Sequence, residues 1–172
     1  MKRILHVPKY YPPHTGGIED VCFNVVRLLS ELSDYQQKVV CFSETKQTCK
    51  DIVEEIEVIR IGCWKKVASQ SLSLIYKREL KKILEQYRPN IVHFHAPNPF
   101  VAWILLPLLP KETKLIVHWH SDVVDQKLIY KFVKHIETRL LKRADVIIAT
   151  SPNYINCSSQ LQKFKNKVIV IP

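Results

Sequence analysis

The hydrophobic positions of the chain fall into short apolar runs separated by longer stretches with helical spacing. The runs predict seven strands, at residues 3–7, 38–42, 56–61, 91–95, 114–118, 145–149 and 167–171. The helical spacing predicts helices over residues 18–32, 72–87, 99–109 and 126–142. A further helix is predicted to start at Ser151, because serine suits the N-cap and Pro152 the first helical position. The polar stretch 43–51 predicts a loop.

Strands that alternate with helices predict an α/β fold. We expect a Rossmann-like, doubly wound parallel sheet of about seven strands, with helices on both faces. A chain of 172 residues fits one such domain. Right-handed crossovers place the carboxyl ends of all parallel strands at one edge, where sheets of this kind bind ligands.

The turn after the first strand, residues 9–19, carries two of the three glycines of the chain. Gly16 and Gly17 allow a positive φ or the close approach of another group. They also precede a predicted helix, whose N-terminus favours an anion such as phosphate. Taken alone, the pair fits a geometric requirement of the turn and a phosphate site equally well.

Two pairs of histidines mark neighbouring strands. His93 and His95 share one face of their strand, as do His118 and His120 of the next. Such pairs occur in zinc sites, but histidines within strands are more often core residues, and we predict no metal. His120 should end its strand, where it could act as a general acid or base or bind a substrate hydroxyl. The chain lacks a Gly-x-Ser-x-Gly elbow, which argues against a hydrolase triad.

The net charge of +10 indicates a phosphate-bearing ligand, an anionic membrane surface or nucleic acid. Four cations on one face of the second helix, namely Lys77, Arg78, Lys81 and Lys82, favour a membrane surface. No nucleic-acid-binding motif is found, so no nucleic-acid partner is expected. Five scattered cysteines without a Cys-x-x-Cys pair predict reduced thiols and a cytoplasmic protein. We expect neither a signal peptide nor a membrane span.

Four segments together resemble the retaining, GT-B-fold glycosyltransferases of group 4. Residues 12–19 (PPHTGGIE) are similar to the opening turn of that family, and residues 89–95 (PNIVHFH) to its Pro-Asp-x-Val-His-x-His strand. Residues 118–122 (HWHSD) are similar to its Thr-x-His-Asp segment, although His118 replaces the usual threonine and Ser121 separates the histidine from the acid. Residues 143–151 (RADVIIATS) are similar to its Ala-Asp-x-Ile-Ile-Ala-x-Ser segment.

The resemblance implies that residues 1–172 form the N-terminal, acceptor-binding domain of a two-domain enzyme, without the C-terminal nucleotide-sugar domain. It implies that Gly16 and Gly17 bind the donor diphosphate or sugar, and that His120 acts at the reaction centre. Weaker acceptor-side candidates are Tyr10, His14, His95, Asn98 and Asp122. The spacing of Asp122 from the histidine departs from the family pattern.

The expected function is therefore half of a glycosyltransferase that builds a cell-surface glycan or glycolipid and is inactive without its second domain. The donor would be a UDP- or GDP-sugar, the acceptor a glycan or lipid-linked sugar, and no other cofactor is expected. The expected location is cytoplasmic, with peripheral contact at the inner face of the plasma membrane. The alternative is a non-catalytic module that binds anionic membranes or polyphosphates.

Overall fold

The computed structural model describes residues 1–67, 70–122 and 130–171 and is organised around one eight-stranded sheet. The strands are β1 Lys2–Val7, β2 Tyr35–Phe42, β3 Cys49–Val53, β4 Ile56–Ile61, β5 Lys65–Val67, β6 Gln70–Leu72, β7 Ile91–Ala96, β8 Lys114–Trp119, β9 Val146–Ala149 and β10 Val168–Val170. The helices are α1 Gly17–Ser30, α2 Tyr76–Tyr87, α3 Pro99–Leu108, α4 Tyr130–Arg143 and α5 Pro152–Cys157, followed by a 3-10 helix over Leu161–Lys167.

The strand order of the sheet is β10-β9-β8-β7-β1-β2-β4-β3. All neighbours are parallel except β3 and β4. The chain builds outward from β1 on one side and then returns to build outward from β7 on the other. The point where the order reverses therefore lies between β1 and β7, and ligands of doubly wound sheets bind beside that point. The predicted α/β fold, with a mainly parallel sheet, is confirmed.

Two details of the predicted elements are wrong. β3 forms within and beyond the predicted loop 43–51, so the sheet has eight strands, because an edge strand exposed to water needs no apolar alternation. Leu72 ends the hairpin β5–β6, and α2 begins only at Tyr76. The sequence pattern merged this short strand with the helix. For the helix predicted over 126–142, residues 126–129 lie outside the described part of the chain.

One face of the sheet is apolar and carries the larger hydrophobic core. It contains Leu5, Phe42, Phe94, Val117 and other residues that alternate along the strands. Helices α2, α3 and α4 cover this face with fully buried side chains that include Leu80, Leu105 and Leu140. This face accounts for most of the apolar burial and so for most of the hydrophobic stabilisation.

The opposite face is covered by α1 and is smaller and more polar. Cys22 and Val26 of α1 pack against Val39, Cys41 and Val58. Further along the same face, buried histidines replace apolar residues. Helices therefore flank both faces, as predicted. Among the described residues, no helix is long and apolar enough to cross a membrane.

Candidate functional site

Helix α1 begins at Gly17, and its N-cap residue Gly16 provides no capping side chain. The first backbone N–H groups of a helix lack partners within the helix, so an uncapped start suits an anion. Neither glycine lies in the left-handed region of positive φ, since Gly16 is extended, which corrects that part of the expectation. A Cβ at Gly16 would lie 2.4 Å from Oε2 of the buried Glu19, so the missing side chain lets this carboxylate of the first turn pack closely against the helix start. A Cβ at Gly17 would meet nothing within 4 Å, so this side is open.

The turn before these glycines is held by Arg60 of β4. Its Nη1 donates to the Tyr11 carbonyl at 3.0 Å, and its Nη2 donates to the Pro12 carbonyl. Nη2 also lies 3.1 Å from Asp51 Oδ2, on the edge strand that the sequence pattern missed. The Arg60 side chain is only 13% exposed, so its charge-assisted hydrogen bonds form away from bulk water. Arg60 thus anchors the turn to the sheet.

Tyr10 and His14 lie together on the same turn. Their rings are 4.3 Å apart, the Tyr10 hydroxyl hydrogen-bonds Ser71 Oγ at 2.7 Å, and His14 Nδ1 lies 2.8 Å from Glu44. The ammonium group of Lys66 lies 5.0 Å from the Tyr10 ring centroid. Tyr10 is 5% exposed, so its ring packs within the turn and offers little free surface. His14 is the more accessible of the two acceptor-side candidates.

The strand histidines form one continuous row on the face under α1. His6 Nδ1 lies 3.3 Å from His93 Nδ1, and His95 Nδ1 lies 3.1 Å from His120 Nε2. The His118 ring stacks on His120 with a centroid distance of 4.2 Å. The row follows from the parallel register, which sets His6 beside His93 and His95 beside His118. It ends with His120 at the carboxyl edge of the sheet, where that residue was predicted.

Burial keeps these rings neutral. Desolvation lowers the pKa of His6 to about 4, of His118 to about 4 and of His120 to about 3. Desolvation, followed by the neighbouring imidazoles, lowers the pKa of His93 and His95 well below the usual value. The Nε2 atoms of His93 and His95 and both nitrogens of His118 have no partner within the described residues. At physiological pH the row is therefore a polar but uncharged patch.

The arrangement fits a metal ion poorly. One ring nitrogen from each of His93, His95 and His118 lies within 4.8 Å of the others. A coordinating lone pair lies in the plane of its ring, however, and His118 is stacked on His93 and His95 at 15° and 28°. The lone pairs of nearly parallel rings do not converge on one point. A second group, His6, Cys22 and His95, includes a thiol whose pKa burial raises well above its usual value. The expected absence of a metal stays a prediction.

Helix α1 connects the glycine turn with the histidine row. Sγ of Cys22 lies within 4.8 Å of ring nitrogens of His6 and His95. Cys22 follows Gly17 by five residues, or about 8 Å of helix at 1.5 Å per residue. The open start of α1 and the His95–His120 pair therefore belong to one region beside the β1–β7 switch point. Asn98, the N-cap residue of α3, follows β7 at this edge and is 2% exposed, with Nδ2 lacking a described partner.

Asp122 does not join this group. Its Oδ1 accepts hydrogen bonds from Trp119 Nε1 at 2.8 Å and Ser158 Oγ at 2.9 Å, and its backbone N–H donates to the Tyr154 hydroxyl at 2.6 Å. These contacts tie the end of β8 to α5 and the segment after it. Its observed contacts are structural, and its acceptor-side role stays a prediction.

The four cations predicted to face a membrane are all exposed on α2. Two of them are paired on their own helix, Arg78 with Glu79 at 2.9 Å and Lys81 with Glu85 at 3.7 Å. Exposed pairs of this kind are weak but reduce the local positive charge. Lys77 and Lys82 complete the set. All four side chains are exposed on α2 as predicted, and their contact with a membrane stays a prediction.

Sequence reasoning missed the residues behind the site. His6 and Gln37 support His93, Cys22 lies against His95, and Arg60 anchors the turn. His6 was recognisable, because a histidine inside an apolar strand next to two His-x-His strands predicts a shared face. Gln37, Cys22 and Arg60 carry no such local signal, since their contacts depend on the strand order.

Fold and site together define a Rossmann-like domain with a polar edge at its switch point. The Glycosyltransferase Family 4 profile matches residues 15–172, and the chain belongs to that family. It is 34% identical over 171 residues to O-antigen chain mannosyltransferase C of Escherichia coli, covering 99% of this chain and 45% of that protein. It is 27% identical over 180 residues to D-rhamnosyltransferase WbpZ of Pseudomonas aeruginosa, covering 98% and 44%.

A solved structure shares the fold at low sequence identity. The crystal structure of Acinetobacter baumannii MurG matches with a TM-score of 0.60 at 14% identity, covering 99% of this chain and 44% of that one. The chain spans about half the length of the curated relatives it matches. The predicted family resemblance is confirmed.

Proposed function

We propose that this chain is the N-terminal, acceptor-binding domain of a two-domain GT-B glycosyltransferase, which transfers a sugar from a nucleotide-sugar donor with retention of configuration. The observation that carries the proposal is that the start of α1, which lacks a capping side chain, and the His95–His120 pair lie in one region beside the switch point, linked through Cys22. An anion-binding helix end next to a neutral imidazole suits a sugar diphosphate at a site of group transfer.

In this proposal the residues at the carboxyl edge bind either the donor or the acceptor. The N–H groups at Gly16 and Gly17 bind the donor diphosphate or sugar, with the open Cβ side of Gly17 leaving room for it. His120 contacts the donor sugar or the acceptor at the reaction centre. His14, Tyr10 and Asn98 form the acceptor side, since they follow β1 and β7 at the same edge.

The relatives suggest the substrate class. Their names specify mannosyl and rhamnosyl transfer, in one case to an O-antigen chain. We infer that this chain serves a UDP- or GDP-sugar and a glycan or lipid-linked acceptor in polysaccharide biosynthesis. The second domain supplies the other wall of the cleft, so the chain by itself is inactive.

A chimera tests this proposal. The matching segment of the E. coli mannosyltransferase is replaced by this chain, and mannosyl transfer is measured beside the isolated chain. The proposal expects transfer by the chimera and none by the isolated chain. A chimera that is folded by circular dichroism yet transfers no sugar would overturn the acceptor-domain assignment. Transfer at a normal rate by the isolated chain would overturn the two-domain requirement.

A second proposal is that the α2 surface holds the protein at an anionic membrane, at the cytoplasmic face of the plasma membrane. This binding would either accompany sugar transfer or be the sole role of a non-catalytic module that binds membranes or polyphosphates. The exposed Lys77, Arg78, Lys81 and Lys82 favour it. Sedimentation with phosphatidylserine vesicles tests it by comparing Lys77→Glu/Lys82→Glu with Lys163→Glu/Lys165→Glu, an equal charge change on exposed lysines of the 3-10 helix. Equal loss of binding in both variants would reject a specific α2 surface.

A further inference from the structure

We propose that His95 is a positioning residue that holds His120 as the Nδ1–H tautomer, so that His120 presents a hydrogen-bond donor, and no base, to the edge of the sheet. The tautomer follows from the geometry of the isolated chain. Its meaning for sugar transfer rests on the proposed function.

The two rings share one hydrogen bond. His95 Nδ1 and His120 Nε2 are 3.1 Å apart, and a neutral imidazole has one N–H and one lone pair. Either His95 donates to His120 Nε2, which leaves the His120 proton on Nδ1, or His120 donates to His95, which leaves a lone pair on Nδ1. The two arrangements give opposite chemistry at the partly exposed His120.

The buried nitrogen of His95 decides between them. His95 is 0% exposed, and its Nε2 has no partner within the described residues. If His120 donated, this Nε2 would carry a buried N–H without an acceptor, the rarer and costlier defect. If His95 donates, Nε2 carries only a lone pair.

In the neighbouring His6–His93 pair the hydrogen bond runs in the same direction, with the β7 histidine as donor. The Gln37 amide nitrogen donates to the Val26 carbonyl and to Ser30 Oγ, both at 3.0 Å, which turns its oxygen toward His6. His6 Nε2 therefore donates to Gln37 Oε1 at 2.9 Å, and His6 Nδ1 accepts from His93 Nδ1. Both buried histidines of β7 thus donate through Nδ1 and keep a lone pair on Nε2.

An imidazole fixed in this way can donate to a phosphate, ring or hydroxyl oxygen of a bound substrate. It cannot take a proton from an acceptor hydroxyl, because its only lone pair is occupied by His95. His95 is accordingly not itself an acceptor ligand, in contrast to the role that the family resemblance implies for it. Its effect on the substrate passes through His120.

Nitrogen-15 NMR of the imidazole rings tests the tautomer on this chain without any transfer assay. At neutral pH, His120 Nδ1 is expected at a protonated, pyrrole-like shift and Nε2 at a pyridine-like shift. His95→Phe keeps a ring but removes the donor, and should move the proton of His120 to Nε2. His95→Asn retains an N–H near the Nδ1 position and should keep the Nδ1–H form.

A wild-type spectrum with the His120 proton on Nε2 overturns the proposal even if no variant folds. An unchanged His120 tautomer in folded His95→Phe overturns the role of His95. Failure of the proposed function is seen separately, as a folded but inactive chimera, and leaves the tautomer result unaffected.

Discussion

The two faces of the sheet use alternate residues of the same strands, and they differ in kind. On β7, Phe94 points into the apolar core, while its neighbours His93 and His95 point under α1. Burial of Phe94 stabilises the fold at any pH. Burial of imidazoles is tolerated only while they stay neutral, and several of their nitrogens have no partner among the residues that the structure describes. The apolar face therefore maintains the fold, and we propose that the histidine face serves the site.

The two faces should differ most in how their contributions to stability depend on pH. In the folded state the pKa values of the row histidines lie below the usual 6.5. As the pH falls, the unfolded chain therefore binds protons that the folded chain does not bind. The stability contributed by neutral rings is full above pH 6.5 and is lost as the pH falls through about 4. His6 and His118 should each contribute about 1.4 kcal/mol per pH unit across that window. Urea titrations of unfolding between pH 7 and pH 4 measure the slope.

A variant isolates this effect from that of the carboxylates. His118→Asn should reduce the pH dependence of the free energy of unfolding by about 1.4 kcal/mol per pH unit, since it removes one group that binds a proton only in the unfolded chain. Changing the exposed His135 to Asn in the same way is the control. Equal slopes for His118→Asn and wild type would show that the row is not a pH-sensitive face.

Truncation on the apolar face should give the next largest effect. Phe94→Ala is expected to lower the free energy of unfolding by about 4 kcal/mol, because it empties a fully buried ring site in the centre of the sheet. Ile52→Ala on the edge strand, where the side chain is 73% exposed, should change it by less than about 0.5 kcal/mol. Urea denaturation at pH 7 compares them, and a small loss for Phe94→Ala would contradict the division of roles.

Arg60 shows that polar contacts on the α1 side also maintain structure. Arg60→Ala should cost about 3 kcal/mol, because the carbonyls of Tyr11 and Pro12 lose charge-assisted hydrogen bonds. Arg60→Lys should recover only part of this, since an ammonium cannot reproduce the fork of two donors. Urea denaturation measures both variants, and full recovery by lysine would show that charge alone suffices.

A smaller effect than that of Arg60 is expected at the carboxyl edge. Ser151 Oγ accepts from the Tyr154 backbone N–H at 3.2 Å and caps α5. Ser151→Ala should cost about 1 kcal/mol in the same denaturation experiment, whereas Ser151→Asp should retain the cap. An equal loss in both would mean that the cap contributes nothing.

The strand rhythm predicted the fold because each central strand is apolar enough to be recognised alone. The edge strand β3 was not predicted, because a strand exposed to solvent lacks the apolar pattern. At the site, His120 and the glycine turn were predictable from their positions after strands and from the family motifs. The pairing of His95 with His120 was not, because it depends on the register of β7 and β8. The contacts of Asp122 with Trp119 and Ser158 were not predictable either, because they do not follow from its spacing in the sequence.

The most direct test of the account compares two histidine variants in the chimera. His120→Ala should lower the rate of sugar transfer by about 100-fold, as expected when a preorganised hydrogen-bond donor is removed. His135→Ala, on the exposed side of α4, should leave the rate within about twofold of the unmodified chimera. Wild-type transfer by a folded His120→Ala chimera would contradict the claim that the histidine face serves the reaction.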